Sequence, residues 1–432
     1  MRQAEFMQTD DSTQLVDHFC RHEFARLIAA LARKFGVRHM ELVEDAVQGA
    51  FLRALRSWPL KGIPPQPGPW LYRVAYNLAM DHLRRDLRWN SVASAGSVED
   101  PSFQIEHPPY CEDEITDSQL RMIFACCCDE IPRESQVALA LKTLCGFGNE
   151  EIARALLISE ANVAKRLVRA KQRLRSLKFD PNALSVQDFQ ARLPMVQAVA
   201  YLLFNEGYSS TNDDRLIREE LCEEAVRLAL LLAEHPWTQG PRSSALLALM
   251  LFHASRLETR LDESGRMLQL ADQDRSLWDH RMIAEAGRWI LRACDGEPTR
   301  YHVEAWIASE HCTAKSADDT HWDRIVQAYD LLLKFDDSPV VQLNRAIAIA
   351  EYSGVAAGWQ ALNAIEHQFR DRYHLWTAAA GEFAYREGKL SEARRYYERA
   401  LSLTSSATEQ TFLRAQIAKL DTPELDPAKP AQ

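Results

Sequence analysis

The sequence contains no long apolar run. No stretch of about 18 uncharged apolar residues, the length that a membrane-spanning helix needs, occurs in its 432 residues. The opening segment MRQAEFMQTDDSTQ also lacks the apolar core of an export signal. We therefore expect a soluble, cytoplasmic protein that does not bind a membrane.

The spacing of the cysteines does not indicate a metal site. The chain has nine cysteines, an odd number, and no two of them have the CxxC spacing of a zinc site. Cys126, Cys127 and Cys128 are contiguous, which favours reduced cysteines used as small core residues. We expect no metal site and no disulfide framework.

Catalytic motifs are missing as well. The chain has no GxSxG motif and no phosphate-binding loop, and its histidines are scattered. The acid pairs at 213–214 and 318–319 sit in loop-like surroundings, where solvated carboxylates are ordinary. We expect no catalytic residues, no cofactor and no small-molecule substrate.

The net charge of −10 would disfavour a nucleic-acid partner if it were spread evenly. Residues 1–180, however, carry 24 Lys/Arg and 24 Asp/Glu, whereas residues 181–432 carry 27 and 37. The acidic excess thus lies wholly in the C-terminal part. A basic patch in the neutral N-terminal part can still bind phosphates.

The most informative stretch is 149–178, NEEIARALLISEANVAKRLVRAKQRLRSLK. Asn149 and Ser159 are good N-caps for two helices separated by a tight turn. The second helix carries an apolar stripe at spacings of three and four, and a cationic opposite face. The stripe is Val163, Leu167, Ala170 and Leu174, and the cations are Lys165, Arg166, Arg169, Lys171, Arg173, Arg175 and Lys178. This pattern is typical of a helix-turn-helix whose second helix enters the DNA major groove.

The alternative interpretation is a solvated basic face on an ordinary helical hairpin. A solvated helix usually pairs its cations with acids one turn away. Between Glu151 and Asp180 the only acid is Glu160. The missing partners favour DNA.

Three helices are predicted before this motif, at 12–35, 39–57 and from Pro69 or Trp70 to Arg88. Gly36 ends the first, and PLKGIPPQPG separates the second from the third. The residues predicted to face the core of the second helix are Leu42, Val43, Ala46, Ala50, Phe51 and Leu55. In the third helix, those that can face solvent are Arg73, Tyr76, Asn77, Asp81, Arg84, Arg85 and Arg88.

A linker and a long helical region complete an all-α chain. Between Glu99 and Asp117 there are seven acids and no Lys or Arg, which predicts a flexible anionic linker. Beyond Asp180 no convincing strand pattern occurs. The helical segments predicted there are 194–210, 219–235, 243–256, 272–293 and 321–335. Residues 375–403, with Gly388 between two helices, form a tetratricopeptide-like (TPR-like) unit, and 339–365 is a weaker copy.

Taken in order, these segments resemble a known family. The chain is similar to extracytoplasmic-function (ECF) sigma factors of the sigma-70 family, in the subgroup with a long TPR-like helical extension. The motifs that carry the resemblance are VEDAVQGAFLRAL, WLYRVAYNLAMDHLRR, LRMIFACC, EEIARALLISEANVAKRLVRAKQRLR, YLLFNEGYSS, LCEEAVRLALLL, LADQDRSLWD and SPVVQLNRAIAIAE.

The resemblance implies a domain order. The expected domains are region 2 at 1–90, the acidic linker at 91–118, region 4 at 119–180, a family-specific helical domain at 181–300, TPR-like repeats at 301–420 and a disordered tail at 421–432. A linker of this charge would occupy the RNA exit channel of the polymerase, or it is a plain spacer.

The resemblance also implies partners and contact residues. Core RNA polymerase (clamp and flap) and promoter DNA are the expected partners, with a regulatory protein on the C-terminal domain. Asp45, Gln48 and Phe51 match the segment that docks on the clamp. Gly49 departs from the pattern, because an acid is commoner there.

For the minus-10 element the implied residues are Trp70, Arg73, Tyr76, Asn77, Arg84 and Arg85, which supply stacking platforms and cations for melted DNA. Trp70 could instead be a core residue. For the minus-35 element they are Ser159, Glu160, Asn162, Lys165, Arg166, Arg169 and Arg173.

Two other classes stay open at this stage. A stand-alone helix-turn-helix regulator with a solenoid sensor would not need the clamp and melting helices of residues 40–90. An enzyme within residues 185–300 would need a polar pocket with clustered carboxylates or histidines.

Overall fold

The computed structural model describes residues 23–93, 121–176, 185–209 and 219–421, apart from 263–265 and a few single positions. The start of the first predicted helix, most of the acidic linker and the C-terminal tail lie outside the described residues. The chain divides into two compact units, Met1–Leu203 and Phe204–Gln432.

The first unit is built from helices. They are α1 (26–35), α2 (Met40–Lys61), α3 (Pro67–Ala93), α4 (121–126), α5 (Arg133–Leu144), α6 (Asn149–Ala155), α7 (Glu160–Ser176) and α8 (Val186–Tyr208), within which the boundary falls. Gly36 ends α1 with φ 87°, a left-handed value that glycine adopts without strain. The predicted all-α class is confirmed for the described residues, which contain no strand and only an isolated bridge between Leu261 and Met267.

The helices of the second unit follow at short intervals. They are α9 (Glu219–Glu234), α10 (Pro241–Ala254), α11 (His280–Arg292), α12 (Arg300–Thr313), α13 (Trp322–Leu332), α14 (Pro339–Ser353), α15 (Val355–Ala364), α16 (His367–Arg370), α17 (His374–Arg386), α18 (Leu390–Leu403) and α19 (Ala407–Lys419).

Small residues let these helices pair closely. A Cβ atom on Gly358 of α15 would lie 2.5 Å from Ala350 Cβ of α14, and one on Gly381 of α17 would lie 2.8 Å from the Tyr397 ring of α18. Gly388, with φ 75°, makes the turn between α17 and α18 where the sequence predicts one. Glycine at these two contacts therefore allows the paired helices to approach closely.

One predicted core residue of α2 and one predicted helix start were wrong. Leu55 does not face the core but is 52% exposed, because the buried stripe of α2 continues through Ala54 and Trp58 instead. The single helix predicted over 272–293 begins only at His280. Before it the chain makes two 3-10 turns, since the Asp274 and Asp279 side chains accept hydrogen bonds from main-chain amides that follow them.

The described cysteines are free thiols, and all but Cys294 are buried. Burial raises the pKa of Cys126 to about 12 and that of Cys128 to about 11. Among the described residues, no helix is long and apolar enough to cross a membrane.

Replacing Gly358 by alanine should destabilise the second unit by about 1–3 kcal/mol, because the added methyl group overlaps Ala350 and lies 3.1 Å from the Phe383 ring. Gly287→Ala is the matched control, since Gly287 also lies within a helix, α11, but has nothing within 4 Å of the added Cβ. It should be neutral or stabilising by up to about 1 kcal/mol, from helix propensity alone. Chemical denaturation of both variants tests this, and equal effects would contradict the close α14–α15 contact.

Candidate nucleic-acid interface

Helix α7 has two chemically opposite faces. Val163, Leu167, Ala170 and Leu174 are at most 6% exposed, so the predicted apolar stripe is confirmed. Ser159 caps the helix as predicted, its Oγ accepting from the Asn162 amide at 3.4 Å. With its core side fixed, α7 must turn its charged residues outward.

Much of this cationic face is accessible. Lys165, Arg169 and Arg173 are exposed, as are Ser159, Glu160 and Asn162 in the first turns. Arg166 is half-buried, and its Nη2 lies 2.5 Å from Glu134 Oε2 of α5. Because Glu134 is well exposed, this ion pair is worth little and does not prevent Arg166 from binding another anion.

The C-terminal part of the same face contacts α2. Lys171 Nζ lies 2.5 Å from Glu44 Oε2, with side chains only 16% and 12% exposed, and Arg175 forms an ion pair with Glu41. The second carboxylate oxygen of Glu44 is buried and has no hydrogen-bond partner. Two of the seven predicted cations are thus paired with α2, and Arg166 is paired with α5.

Helix α3 presents a polar stripe. Arg73, Asn77 and Arg84 follow one another at helical spacing and are exposed. Arg85 is exposed too, and its Nε donates to the Asp81 carbonyl oxygen at 3.2 Å. Trp70, one turn before Arg73, is half-buried with its ring centroid 5.6 Å from that of Trp58.

The prediction that Tyr76 faces solvent was wrong. Tyr76 is only 8% exposed, and its ring centroid lies 5.4 Å from that of Phe35. The position borders the core stripe of Leu71, Ala75 and Ala79, and Phe35 at the end of α1 covers it. Trp70 is therefore the more accessible ring of the two.

On α2, Asp45 and Gln48 are exposed, whereas Phe51 is 8% exposed and its ring centroid is 6.1 Å from that of Phe24. Sequence reasoning missed Leu52 and Leu55, which are 55% and 52% exposed. Asp45, Gln48, Leu52 and Leu55 are spaced by three, four and three residues, which places them on one side of a helix. This spacing is the signal that could have identified the two leucines.

Gly49 lies at the crossing of α2 and α3. A Cβ atom there would be 2.9 Å from Leu78 Cδ1 of α3. A side chain at this position would therefore point at α3 and not at the exposed stripe of α2.

Val168 was also missed. It is 55% exposed between the cations of α7, one residue off the buried stripe. An exposed valine on such a helix can contact a thymine methyl group. No group of three or more His, Cys, Asp or Glu that could hold a metal occurs among the described residues.

Comparison with known families gives three matches along the chain. Residues 21–89 match sigma-70 region 2, residues 121–174 match sigma-70 region 4, and residues 192–294 match a family of unknown function, DUF6596. No solved structure matches the chain.

Relatives support the same assignment. An uncharacterised protein of Rhizobium meliloti (strain 1021) is 34% identical over 396 residues, which cover 91% of this chain and 93% of the relative. The ECF RNA polymerase sigma-E factor of Escherichia coli (strain K12) is 28% identical over 137 residues, 30% of this chain and 70% of that protein. The ECF RNA polymerase sigma factor SigE of Mycolicibacterium smegmatis is 30% identical over 177 residues, covering 40% and 65%. With exposed cations opposite the buried stripe of α7 and both sigma regions matched in order, this chain belongs to the ECF group of the sigma-70 family and is an RNA polymerase sigma factor.

Proposed function

We propose that this sigma factor reads the minus-35 element with α7, engages the melted minus-10 element with α3 and docks on the polymerase clamp through α2. The observation that carries the proposal is α7 itself, with a buried apolar stripe opposite exposed cations at 165, 169 and 173. Such a helix can enter the major groove without unfolding its own domain.

On α7 the first turns are the base-reading part. Ser159, Glu160, Asn162 and Lys165 are exposed there, and Arg169 follows one turn later on the same side. The N-terminal residues of a recognition helix reach base edges, while cations further along contact phosphates. We assign Arg173 to phosphate and Arg166 to a base edge once it leaves Glu134.

On α3 the exposed stripe fits single-stranded DNA. Arg73, Arg84 and Arg85 offer cations to the backbone, Asn77 offers an amide, and Trp70 offers part of a ring for stacking. Tyr76 would have to leave Phe35 before it could stack on a base. We therefore give Trp70 the main stacking role.

On α2 the stripe of Asp45, Gln48, Leu52 and Leu55 combines polar and exposed apolar side chains, as the centre of a protein interface does. We propose that it contacts the clamp and that region 4 contacts the flap. A stand-alone regulator has no use for such a surface, and the region 2 match favours the sigma factor over that alternative.

The α7–α2 contact belongs to a closed state. The two promoter elements are about 25 base pairs, roughly 85 Å, apart along B-DNA. Helices that touch through Lys171–Glu44 cannot read both elements at once. Regions 2 and 4 must therefore separate on the promoter, at the cost of two ion pairs.

We further propose that the second unit is non-catalytic and either regulates the first unit or binds a regulatory partner. Its helix pairs form a stacked scaffold of the kind that presents a recognition surface. Its acidic excess, 36 Asp/Glu against 26 Lys/Arg in residues 204–432, opposes contact with phosphates.

Arg169→Ala should weaken binding to a cognate promoter by about 1–3 kcal/mol if Arg169 reads a base. Arg169 is exposed and, within the described part of the chain, forms no ion pair, so its removal leaves the fold intact. Fluorescence anisotropy with promoter and random duplexes measures both affinities, and exposed Gln172→Ala on the same helix is the control. An equal loss on both duplexes would show a phosphate contact instead.

Glu44→Gln should tighten binding to random duplex DNA, because it releases Lys171 from α2. One additional phosphate contact makes the slope of log affinity against log salt steeper by about 0.9. Asp45→Asn makes the same charge change on the same helix at an exposed residue that forms no ion pair among the described residues. Identical slopes for the two variants would contradict a closed state held by Glu44.

A chain ending at Leu203 tests control by the second unit. It keeps the part of α8 that holds region 4, where Phe189 lies 4.5 Å from Phe124 between ring centroids and Arg192 donates to the Phe124 carbonyl oxygen. Promoter-specific initiation with core polymerase should change about fivefold or more, the usual size of a coupling between sites. Binding to random DNA should tighten as the acidic excess is lost. Initiation at the level of the full chain would exclude regulation within the molecule.

A further inference from the structure

Three arginines converge in the second unit around two aromatic rings. Arg256 and Arg260 follow α10 and are only 6% and 8% exposed, and Arg275 lies in the 3-10 turn before α11. The Arg260 guanidinium carbon lies 3.7 Å from the ring centroid of Tyr208. Arg256 and Arg275 lie 5.8 Å and 4.7 Å from that of Trp278. The sequence motifs YLLFNEGYSS and LADQDRSLWD supply both rings, and promoter recognition uses neither motif.

None of the three arginines donates a hydrogen bond to a carboxylate of the described residues. Arg256 donates to the Tyr208 hydroxyl at 3.3 Å and to His253 Nδ1 at 2.9 Å, and Arg260 donates to the Tyr208 carbonyl oxygen. Arg275 donates to the carbonyl oxygens of His311 and Ala314, at 2.6 Å and 3.0 Å. Among the described residues, every hydrogen bond of these three guanidinium groups goes to a neutral acceptor.

The nearby acids are engaged elsewhere. The charge of Asp319 acts to raise the pKa of Arg275, but its carboxylate accepts its hydrogen bond from Ser316 Oγ, at 2.8 Å. Glu310 of α12 accepts from Trp306 Nε1 at 3.0 Å and lies 3.2 Å from His321 Nδ1. Burial and the neighbouring arginines lower the pKa of His253, and they lower that of His311 to about 3. Both imidazoles are therefore neutral at physiological pH, and the cluster carries a net charge of three positive units.

Three buried polar atoms in the same cluster lack a hydrogen-bond partner within the part of the chain that the structure describes. They are Arg256 Nε, Trp278 Nε1 and His311 Nδ1. The first two can only donate, and a neutral histidine nitrogen can donate as well. Buried donors are nearly always satisfied in folded proteins, so donors left together from three different segments call for an acceptor that the described residues do not supply.

We infer that this cluster, formed by Tyr208, Arg256, Arg260, Arg275, Trp278 and His311, is a binding site for a small oxyanion, either a phosphate group or a carboxylate. An oxyanion supplies both the missing acceptors and the missing negative charge, and guanidinium groups bind either anion in their fork geometry. Tyr208, His253 and Arg275 are partly exposed, so the cluster reaches the surface of the unit. The site falls within and beside the segment that matches a family of unknown function.

The competing explanation is that the arginines are purely structural ties between loops and helices. Their bonds to main-chain carbonyl oxygens fit that role. It does not account for the donors that have no partner among the described residues, nor for the burial of Arg256 and Arg260 with no carboxylate hydrogen-bonded to them there. Trp278 separates the two explanations, because its N–H bonds nothing while its ring is buried.

Thermal unfolding of the full chain with inorganic phosphate and, separately, with succinate tests the inference, with sodium chloride at matched ionic strength as the reference. At a hundredfold excess over the dissociation constant, a bound oxyanion should raise the unfolding midpoint of the second unit by about 5 °C or more, saturably. A response to phosphate alone identifies a phosphate group, and one to succinate alone identifies a carboxylate. A response to neither beyond that of chloride overturns the site.

Variants complete the test. Trp278→Phe keeps an aromatic ring and removes the N–H together with part of the buried indole, so it should lower the anion-free midpoint and, in the folded protein, weaken anion binding several-fold. Arg256→Gln should weaken it at least tenfold. Arg281→Gln, an exposed arginine in α11 outside the cluster, is the charge-matched control and should bind as the parent does. If folded Trp278→Phe and Arg256→Gln proteins keep the full anion response, the anion binds elsewhere and the inference fails.

Discussion

The first unit depends on one constraint, the burial of one side of α7. Four apolar side chains at spacings of three and four are taken from water, which fixes the rotation of the helix about its axis. Once that rotation is set, the cations between the four apolar positions must face outward. The surface proposed to bind DNA is therefore formed by the same packing that stabilises region 4.

Two of the outward-facing cations of α7, Lys171 and Arg175, form ion pairs with α2. Lys171–Glu44 is a partly buried ion pair, and the contact places region 4 against the helix whose exposed stripe faces away toward solvent. A ligand that binds only the separated form must supply the free energy of separation. By linkage, a second ligand that also needs the separated form then binds more tightly, and the coupling is equal in both directions. In the proposed model of promoter binding, DNA and polymerase are two such ligands.

Most of the fold could be predicted from local patterns in the sequence. The stripe of α7, the Ser159 cap and the Gly388 turn could be predicted because each depends on residues within one or two helical turns. Leu55 and Tyr76 could not, because their exposure is decided by which neighbouring helix covers them. The oxyanion cluster was beyond sequence reasoning for the same reason, since its members come from segments up to a hundred residues apart.

The three contiguous cysteines at the end of α4 illustrate what burial does to chemistry. With its pKa near 12, the Cys126 thiol is almost wholly protonated at neutral pH, and Cys127 and Cys128 are shifted the same way. The thiolate is the species that peroxides and alkylating reagents attack. Region 4 can therefore keep three sulfur atoms in its interior and still resist oxidative damage there.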